Sequence, residues 1–302
     1  MNRWGRRCLG AAMALAVDRL VPEPSDRAHP VAWFGTTMGH VERRLWADRR
    51  AAGVVYAVGG LALGAGAGAA TRSTMSATQI AIAGDTLRTT ATEIGRLTEV
   101  DLDAARAALP SLVGREPSGL DVGEIRAAVV ESLAENMVDA VVAPVFWAVV
   151  AGPAGALGYR AVNTMDAMVG HHSARYERFG WAAARLDDAA NWIPARIFAL
   201  LVVAARPARR REIAATVRRD AGAHPSPNAG VAEAAMAGAI GRRLGGPLRY
   251  GDREERRPTL GTGDRPDADA LDAAVAIADR TEVILAATLA LAAGVSVLRR
   301  RT

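Results

Sequence analysis

The sequence predicts an all-α, multi-pass integral membrane helical bundle whose spans are joined by amphipathic and re-entrant helices. Half of its 302 residues are hydrophobic but only 5% are aromatic. The apolar surface is therefore built from Ala, Gly, Val and Leu, small side chains suited to close helix contact in lipid. Residues 51–70 carry no charge, and a helix of that length crosses roughly 30 Å of hydrocarbon. Three further apolar runs, 140–159, 197–205 and 283–298, have arginines at or near their ends, as membrane-flanking positions do. The length allows one large helical domain, and a single domain over 1–302 is expected.

Taken in order, residues 1–17 place Arg3, Arg6 and Arg7 before an apolar stretch, which reads as an uncleaved, membrane-dipping first helix. A Pro-rich turn follows at 22–30. Within 51–70, Gly60, Gly64 and Gly68 recur every four residues, putting three glycines on one face where a second helix can approach closely. Residues 73–109 mix apolar and charged side chains at helical spacing, an amphipathic region ended by Pro110 and the Gly-containing stretch 114–119. The run 140–159 contains Pro144, Gly152, Pro153 and Gly155, breakers that fit a kinked or re-entrant helix as well as a straight span. The runs 197–205 and 283–298 are short for a crossing. Residues 206–266, rich in Arg, Gly and Pro, read as a long extramembrane segment with one helix near 229–243. No strand pattern or internal repeat stands out.

Arg43, Arg44, Arg49 and Arg50 put the start of the 51–70 segment on the cytoplasmic side, and the terminal arginines put the C-terminus there too. Four straight crossings satisfy both. They also send Arg209, Arg210 and Arg211 outside and separate the polar motifs on either side of 140–159, so at least one run is expected not to cross.

Composition excludes several chemistries. All 37 residues counted as Lys or Arg are Arg, which removes Schiff-base lysine catalysis and the lysine of the phosphate-binding G-x-x-x-x-G-K-[ST] loop. The net charge of +5 is explained by membrane-flanking arginines, with no nucleic-acid motif and no nucleic-acid partner expected. The single Cys8 has no disulfide or C-x-x-C partner.

Three polar blocks carry the candidate chemistry. E-S-L-A-E-N-M-V-D places Glu131, Glu135 and Asp139 four residues apart. Like charges at that spacing repel, and next to an apolar segment such a stripe calls for a cation, metal or arginine partner. Y-R-A-V-N-T-M-D-A-M-V-G-H-H, residues 159–172, spaces Arg160, Asn163 and Asp166 three apart. His171 and His172 are adjacent and point apart, a poor metal pair. In the third block Asp187, Asp188 and Asn191 fall within about one turn, bracketed by Arg185 and Arg196. Two adjacent aspartates at the mouth of an apolar segment suit Mg²⁺, which takes one or two carboxylates and completes its shell with substrate oxygens.

These stretches resemble the CobD/CbiB family of cobalamin-biosynthesis membrane proteins, the adenosylcobinamide-phosphate synthases. The resemblance rests on H-P-V-A-W-F-G at 29–35, L-V-G-R-E at 112–116, the Glu131 block and A-P-V-F at 143–146. It continues through N-T-M-D-A-M-V-G, R-L-D-D-A-A-N-W-I-P-A-R, S-P-N-A-G at 226–230 and A-M-A-G-A-I-G-R-R-L-G-G at 235–246.

The resemblance implies an amide-forming ligase in the cell membrane, its site facing the cytoplasm. Such an enzyme attaches aminopropanol, free or as its O-phosphate, to a side-chain carboxylate of the corrinoid (adenosyl)cobyric acid, with ATP and Mg²⁺. It implies metal binding by Asp187 and Asp188 and proton transfer by one of Glu131, Glu135 or Asp139. Substrate contacts would come from His29, Asn136, Arg160, Asn163, Asp166, Arg175, Arg185, Asn191, Arg196 and Asn228, and membrane lipid would surround the spans. A transporter or a non-catalytic membrane signalling protein would also place charges among apolar segments. Polar groups gathered at segment ends, with no inverted pair of broken helices, favour the ligase.

Overall fold

The computed structural model describes residues 1–21, 29–113, 117, 119–171, 173–250 and 253–298, with backbone alone at 247–250 and 253–257. In chain order the helices are α1 (Arg3–Asp18), α2 (Pro30–Leu45), α3 (Arg50–Thr71), α4 (Thr74–Ala81), α5 (Gly84–Val100) and α6 (Leu102–Ala108). They continue as α7 (Val122–Met137), α8 (Ala143–Ala151), α9 (Pro153–Met165), α10 (Trp181–Ala205), α11 (Arg210–Asp220), α12 (Ala229–Ile240) and α13 (Ala268–Leu298). π-Helical turns at Val138–Val142 and Asp166–Gly170 follow α7 and α9.

Four helical stretches are long and apolar enough to cross a membrane: Arg50–Thr71, Val122–Ala151, Trp181–Ala205 and Ala268–Leu298. The first matches the charge-free run. The runs 197–205 and 283–298 are each part of a longer helix that also carries charged residues, which resolves their apparent shortness, whereas only the first part of 140–159 belongs to such a stretch. At about 1.5 Å per residue, even the shortest of the four reaches the roughly 30 Å of a hydrocarbon core.

The chain divides into two compact units. Unit 1 is 1–83, 139–191 and 285–302, and unit 2 is 84–138 and 192–284. The chain passes between units in the short connection after α4 at 83–84, and inside helical stretches at 138–139, 191–192 and 284–285.

In unit 1, α3 packs along α9 on the glycine face expected from the sequence. A Cβ on Gly64 would run into Ala161 and lie 2.7 Å from the Leu157 carbonyl oxygen, and one on Gly68 would overlap the Pro153 carbonyl. Gly60 accepts the Met165 side chain in the same way. Such approach is open only to residues without a side chain. Next to this seam Met38, Tyr56, Val162, Met165 and Phe179 form a core, with the Tyr56 and Phe179 rings 5.1 Å apart. The first helix is packed here as well, with Cys8, Ala11 and Ala14 fully buried.

The run 140–159 bends back on itself. Helix α8 stops at Gly152, whose φ of +72° lies in the region that favours glycine, and α9 returns along it so closely that a Cβ on Gly155 would overlap the Trp147 carbonyl. Two donations from Arg7, to Val150 O at 2.6 Å and Val149 O at 3.4 Å, satisfy carbonyls left open where α8 ends. The backbone path is that of a helical hairpin, the bent alternative that Pro144, Gly152 and Pro153 leave open, and not a straight helix.

Each proline in these helices frees a carbonyl, and each freed carbonyl has a donor. Pro144 cannot bond Ala140 O, which accepts instead from the Ala83 N–H at 3.0 Å. Pro194 cannot bond Ala190 O, which accepts from the Trp147 indole N–H at 3.1 Å.

Unit 2 is built on α12, every residue of which is buried and, Glu233 aside, apolar. It packs on α11 and α7, and a Cβ on Gly238 would come within 2.8 Å of Ile213 Cα. Arg88 on α5 pairs with the buried Glu282 on α13. The segment 206–266 departs from expectation, because it contains α11 as well as α12 and an antiparallel hairpin, β1 (Leu244–Tyr250) with β2 (Arg253–Leu260). The hairpin escapes a sequence reading because five of the eight residues in R-E-E-R-R-P-T-L are charged, leaving no apolar alternation to read.

Candidate active site

Three helical stretches of unit 1 bring five polar side chains together. Asp139 stands on the π-helical turn at the start of the α8–α9 hairpin, Tyr159 and Asn163 lie four apart on α9, and Asp187 and Asn191 lie four apart on α10. Four-residue spacing puts each pair on one helix face. The Asn163 amide nitrogen donates to Asp139 Oδ2 at 3.1 Å and to Asp187 Oδ1 at 3.3 Å, so one amide bridges the two carboxylates. Asn191 Nδ2 donates to Asp187 Oδ2 at 2.9 Å. The Tyr159 hydroxyl donates to Asn191 Oδ1 at 2.8 Å, with Asp139 Oδ1 at 3.4 Å. Arg160 Nη1 donates to Asn163 Oδ1 at 3.2 Å and adds the positive charge.

The two carboxylates thus meet amide N–H donors that satisfy several of their lone pairs. Tyr159 and Asn191 are almost fully buried, whereas Asp139, Asn163 and Asp187 keep partial exposure. The π-helical turn inserts one residue into the helix at the point where Asp139 must turn toward α9 and α10, a recurrent use of such turns at functional sites.

Other candidate residues are engaged elsewhere. Glu131 is buried in unit 2, its Oε1 accepting the Gly245 N–H at 2.7 Å. Glu135 is exposed, so the acidic stripe does not share one environment. Asn136 donates to Ser132 O and Oγ, both at 2.9 Å. Asp188 turns away from Asp187 to Arg185, 3.4 Å off. Adjacent residues on a helix lie about 100° apart, which is why the two aspartates face different partners. Arg175 bonds Glu42 at 3.0 Å and lies over the Trp46 ring. Arg196 donates to Asn228 Oδ1 at 3.0 Å in unit 2. His29 caps α2, accepting from the Val31 N–H at 3.2 Å, and Asp166 opens the second π-helical turn. His172 and residues 114–116 of the L-V-G-R-E motif lie outside the described residues.

Sequence reasoning alone misses Tyr159 and Trp147. The spacing of Tyr159 to Asn163 is a usable signal, since it repeats that of Asp187 to Asn191.

The donor set suits a hard divalent cation: two carboxylates, amide oxygens and a phenol, with no thiol or imidazole. Among the described residues no three of His, Cys, Asp or Glu converge.

Comparison with known proteins shows what the whole chain is similar to. The CobD/Cbib protein family model matches residues 11–278. Cobalamin biosynthesis protein CobD of Mycobacterium tuberculosis (strain ATCC 25618 / H37Rv) is 43% identical over 316 residues, covering 99% of each chain. CobD of Pelobacter propionicus is 38% identical over 261 residues, 80% of each chain. CobD of Rhodobacter capsulatus is 51% identical over 178 residues, 59% of this chain and 56% of that one. No solved structure matches. With a family model matched over most of its length and relatives aligned end to end, this chain belongs to the CobD/Cbib family.

Proposed function

We propose that the Asp139, Tyr159, Asn163, Asp187 and Asn191 cluster is the active site of an amide-forming step in cobalamin biosynthesis. The step joins aminopropanol, or its O-phosphate, to a side-chain carboxylate of (adenosyl)cobyric acid. The observation that supports it most is the convergence of two carboxylates on one amide, Asn163, in a chain of this family.

Carboxylate and ammonium do not condense in water without activation. ATP would supply it: a substrate carboxylate oxygen takes the terminal phosphoryl group to give an acyl phosphate and ADP. The amine nitrogen then forms the C–N bond, and inorganic phosphate leaves. Arg160 would hold phosphate oxygens by charge-assisted hydrogen bonds. Asp139 would accept the proton that the ammonium loses before attack. The amides of Asn163 and Asn191 would orient the reacting carboxylate and the corrin amides. A Mg²⁺ held by Asp187, its remaining shell filled by water and substrate oxygens, would neutralise phosphate charge. Dependence on ATP calls for a site open to the cytoplasm, in the cytoplasmic membrane.

The test is turnover of cobyric acid, aminopropanol or its O-phosphate, and ATP with Mg²⁺ in membranes carrying Asp139→Asn, Asp187→Asn or Asp188→Asn. The first two should lose activity by about 100-fold or more with membrane insertion unchanged, and Asp188→Asn should lose far less. Retained activity in both Asp139→Asn and Asp187→Asn would make the cluster structural.

A further inference from the structure

Unit 2 contains a cavity of about 700 Å³ that the proposed reaction does not use, a size within the usual range of about 300–1,000 Å³ for small-molecule sites. Its interior is apolar, walled by Leu200 and Val203 of α10, Ile213 and Val217 of α11, and Val231 of α12. Arg196 and Arg218 also line it, and none of the described residues lining it is a carboxylate.

Three features bear on what would fill it. The wall helix α10 is long and apolar enough to cross a membrane, so acyl chains are the apolar groups at hand. Arg196 stacks 4.4 Å from the ring centre of Trp192, which is 54% exposed. From Arg196 the helix runs through Leu200 to Val203, so the cavity follows the apolar part of this helix. Opposite lies α11, R-R-E-I-A-A-T-V-R-R-D, a basic helix of the kind that seeks anionic lipid. Asn228 fixes the Arg196 side chain through the 3.0 Å bond already described.

We propose that this cavity binds one anionic phospholipid, its phosphate between Arg196 and Arg218 and an acyl chain along Leu200 and Val203. This assignment is independent of the reaction at the Asp139 cluster.

The full-length protein in neutral detergent would be titrated with phosphatidylglycerol, phosphatidylcholine or inorganic phosphate while its apparent Tm is followed. Phosphatidylglycerol should raise it by at least about 3 °C and phosphatidylcholine by much less. Arg218→Gln and Arg218→Glu, at an exposed position on α11, should lose more than half of that response, and Val217→Trp, which fills the cavity without removing charge, should lose it as well. Equal responses to both lipids, or an undiminished response in the Arg218 variants, would overturn the assignment. A response to inorganic phosphate as large as that to phosphatidylglycerol would mark a site for soluble phosphates and overturn it equally.

Discussion

The indole N–H of Trp147 donates across 3.1 Å to the carbonyl of Ala190, the oxygen that Pro194 leaves without a helical partner. Ala190 lies between Asp187 and Asn191 in the chain, so this bond ties the α8–α9 hairpin to α10 beside the acidic cluster. Trp147→Phe keeps the ring and removes the donor, leaving a carbonyl unpaired, at a cost of about 1–3 kcal/mol. Pro194→Ala restores an N–H that can bond Ala190 O within the helix. In the Pro194→Ala background the Trp147→Phe cost should therefore fall below about 0.5 kcal/mol, a coupling that a double-mutant cycle on apparent stability would read. Additive effects would show that the indole contributes by packing alone.

The glycine seam of α3 separates positions that look alike in sequence. Gly64 faces Ala161 and the Leu157 carbonyl, whereas Gly59 and Gly66 have nothing within 4 Å of where a side-chain methyl group would sit. Gly64→Val should destabilise by about 1–3 kcal/mol or prevent accumulation, because the obstruction includes backbone that cannot swing aside. Gly59→Ala and Gly66→Ala should be neutral or stabilising by up to about 1 kcal/mol. Thermal inactivation of the three variants in one detergent is the measurement.

Much of this is legible in the sequence, and the rest is not for definable reasons. Gly60, Gly64 and Gly68 announce a helix contact through period alone, and Pro144, Gly152 and Pro153 announce that the 140–159 run need not be straight. What becomes of the carbonyls freed by Pro144 and Pro194 is hidden, since their donors Ala83 and Trp147 are 57 and 43 residues from Ala140 and Ala190 (140−83 and 190−147). Asp187 is recognisable as a site residue, but chain adjacency suggests Asp188 as its companion. Helix geometry instead joins Asp187 to Asn191, and tertiary packing adds Asn163 and Asp139. The acidic stripe reads as one face, yet Glu131 is held by a hairpin amide that no local pattern foretells.

Acid should weaken the start of α13. Asp267 caps it, Oδ1 accepting the Ala270 N–H at 2.9 Å, and Arg242 pairs with the other oxygen. The Ala270 N–H first, and then the guanidinium, hold this carboxyl below its ordinary value. The unfolded chain therefore binds the proton more tightly than the folded one. The stabilisation is complete above pH of about 4 and is lost as pH falls through the lower folded value. Asp267→Asn keeps an acceptor for the cap and discards the charge. Its apparent Tm should lie below that of the unaltered protein at pH 7, and the gap should close on acidification below about pH 4. A gap that stays constant over that range would exclude the charge as its source.

The hairpin fixes what sidedness the membrane topology must show. Asp139 at its start and Asn163 near its end lie 3.1 Å apart through Oδ2 and Nδ2, so the two ends of this segment open at one level. Glu135 is one turn before Asp139 on the same continuous helix, Ala167 is one turn after Asn163, and both are exposed. Single cysteines placed at these positions in a Cys8→Ser background would be probed on intact cells with an impermeant thiol reagent. Both should resist labelling until the cells are opened, since ATP and the corrinoid reach the proposed site from the cytoplasm. Labelling of both from outside would leave the hairpin intact and move the site to the far face, where ATP could not serve it. Labelling of only one would mean that 140–159 crosses the membrane, which the 3.1 Å contact between Asn163 and Asp139 forbids, and the site would have to be rebuilt from other residues.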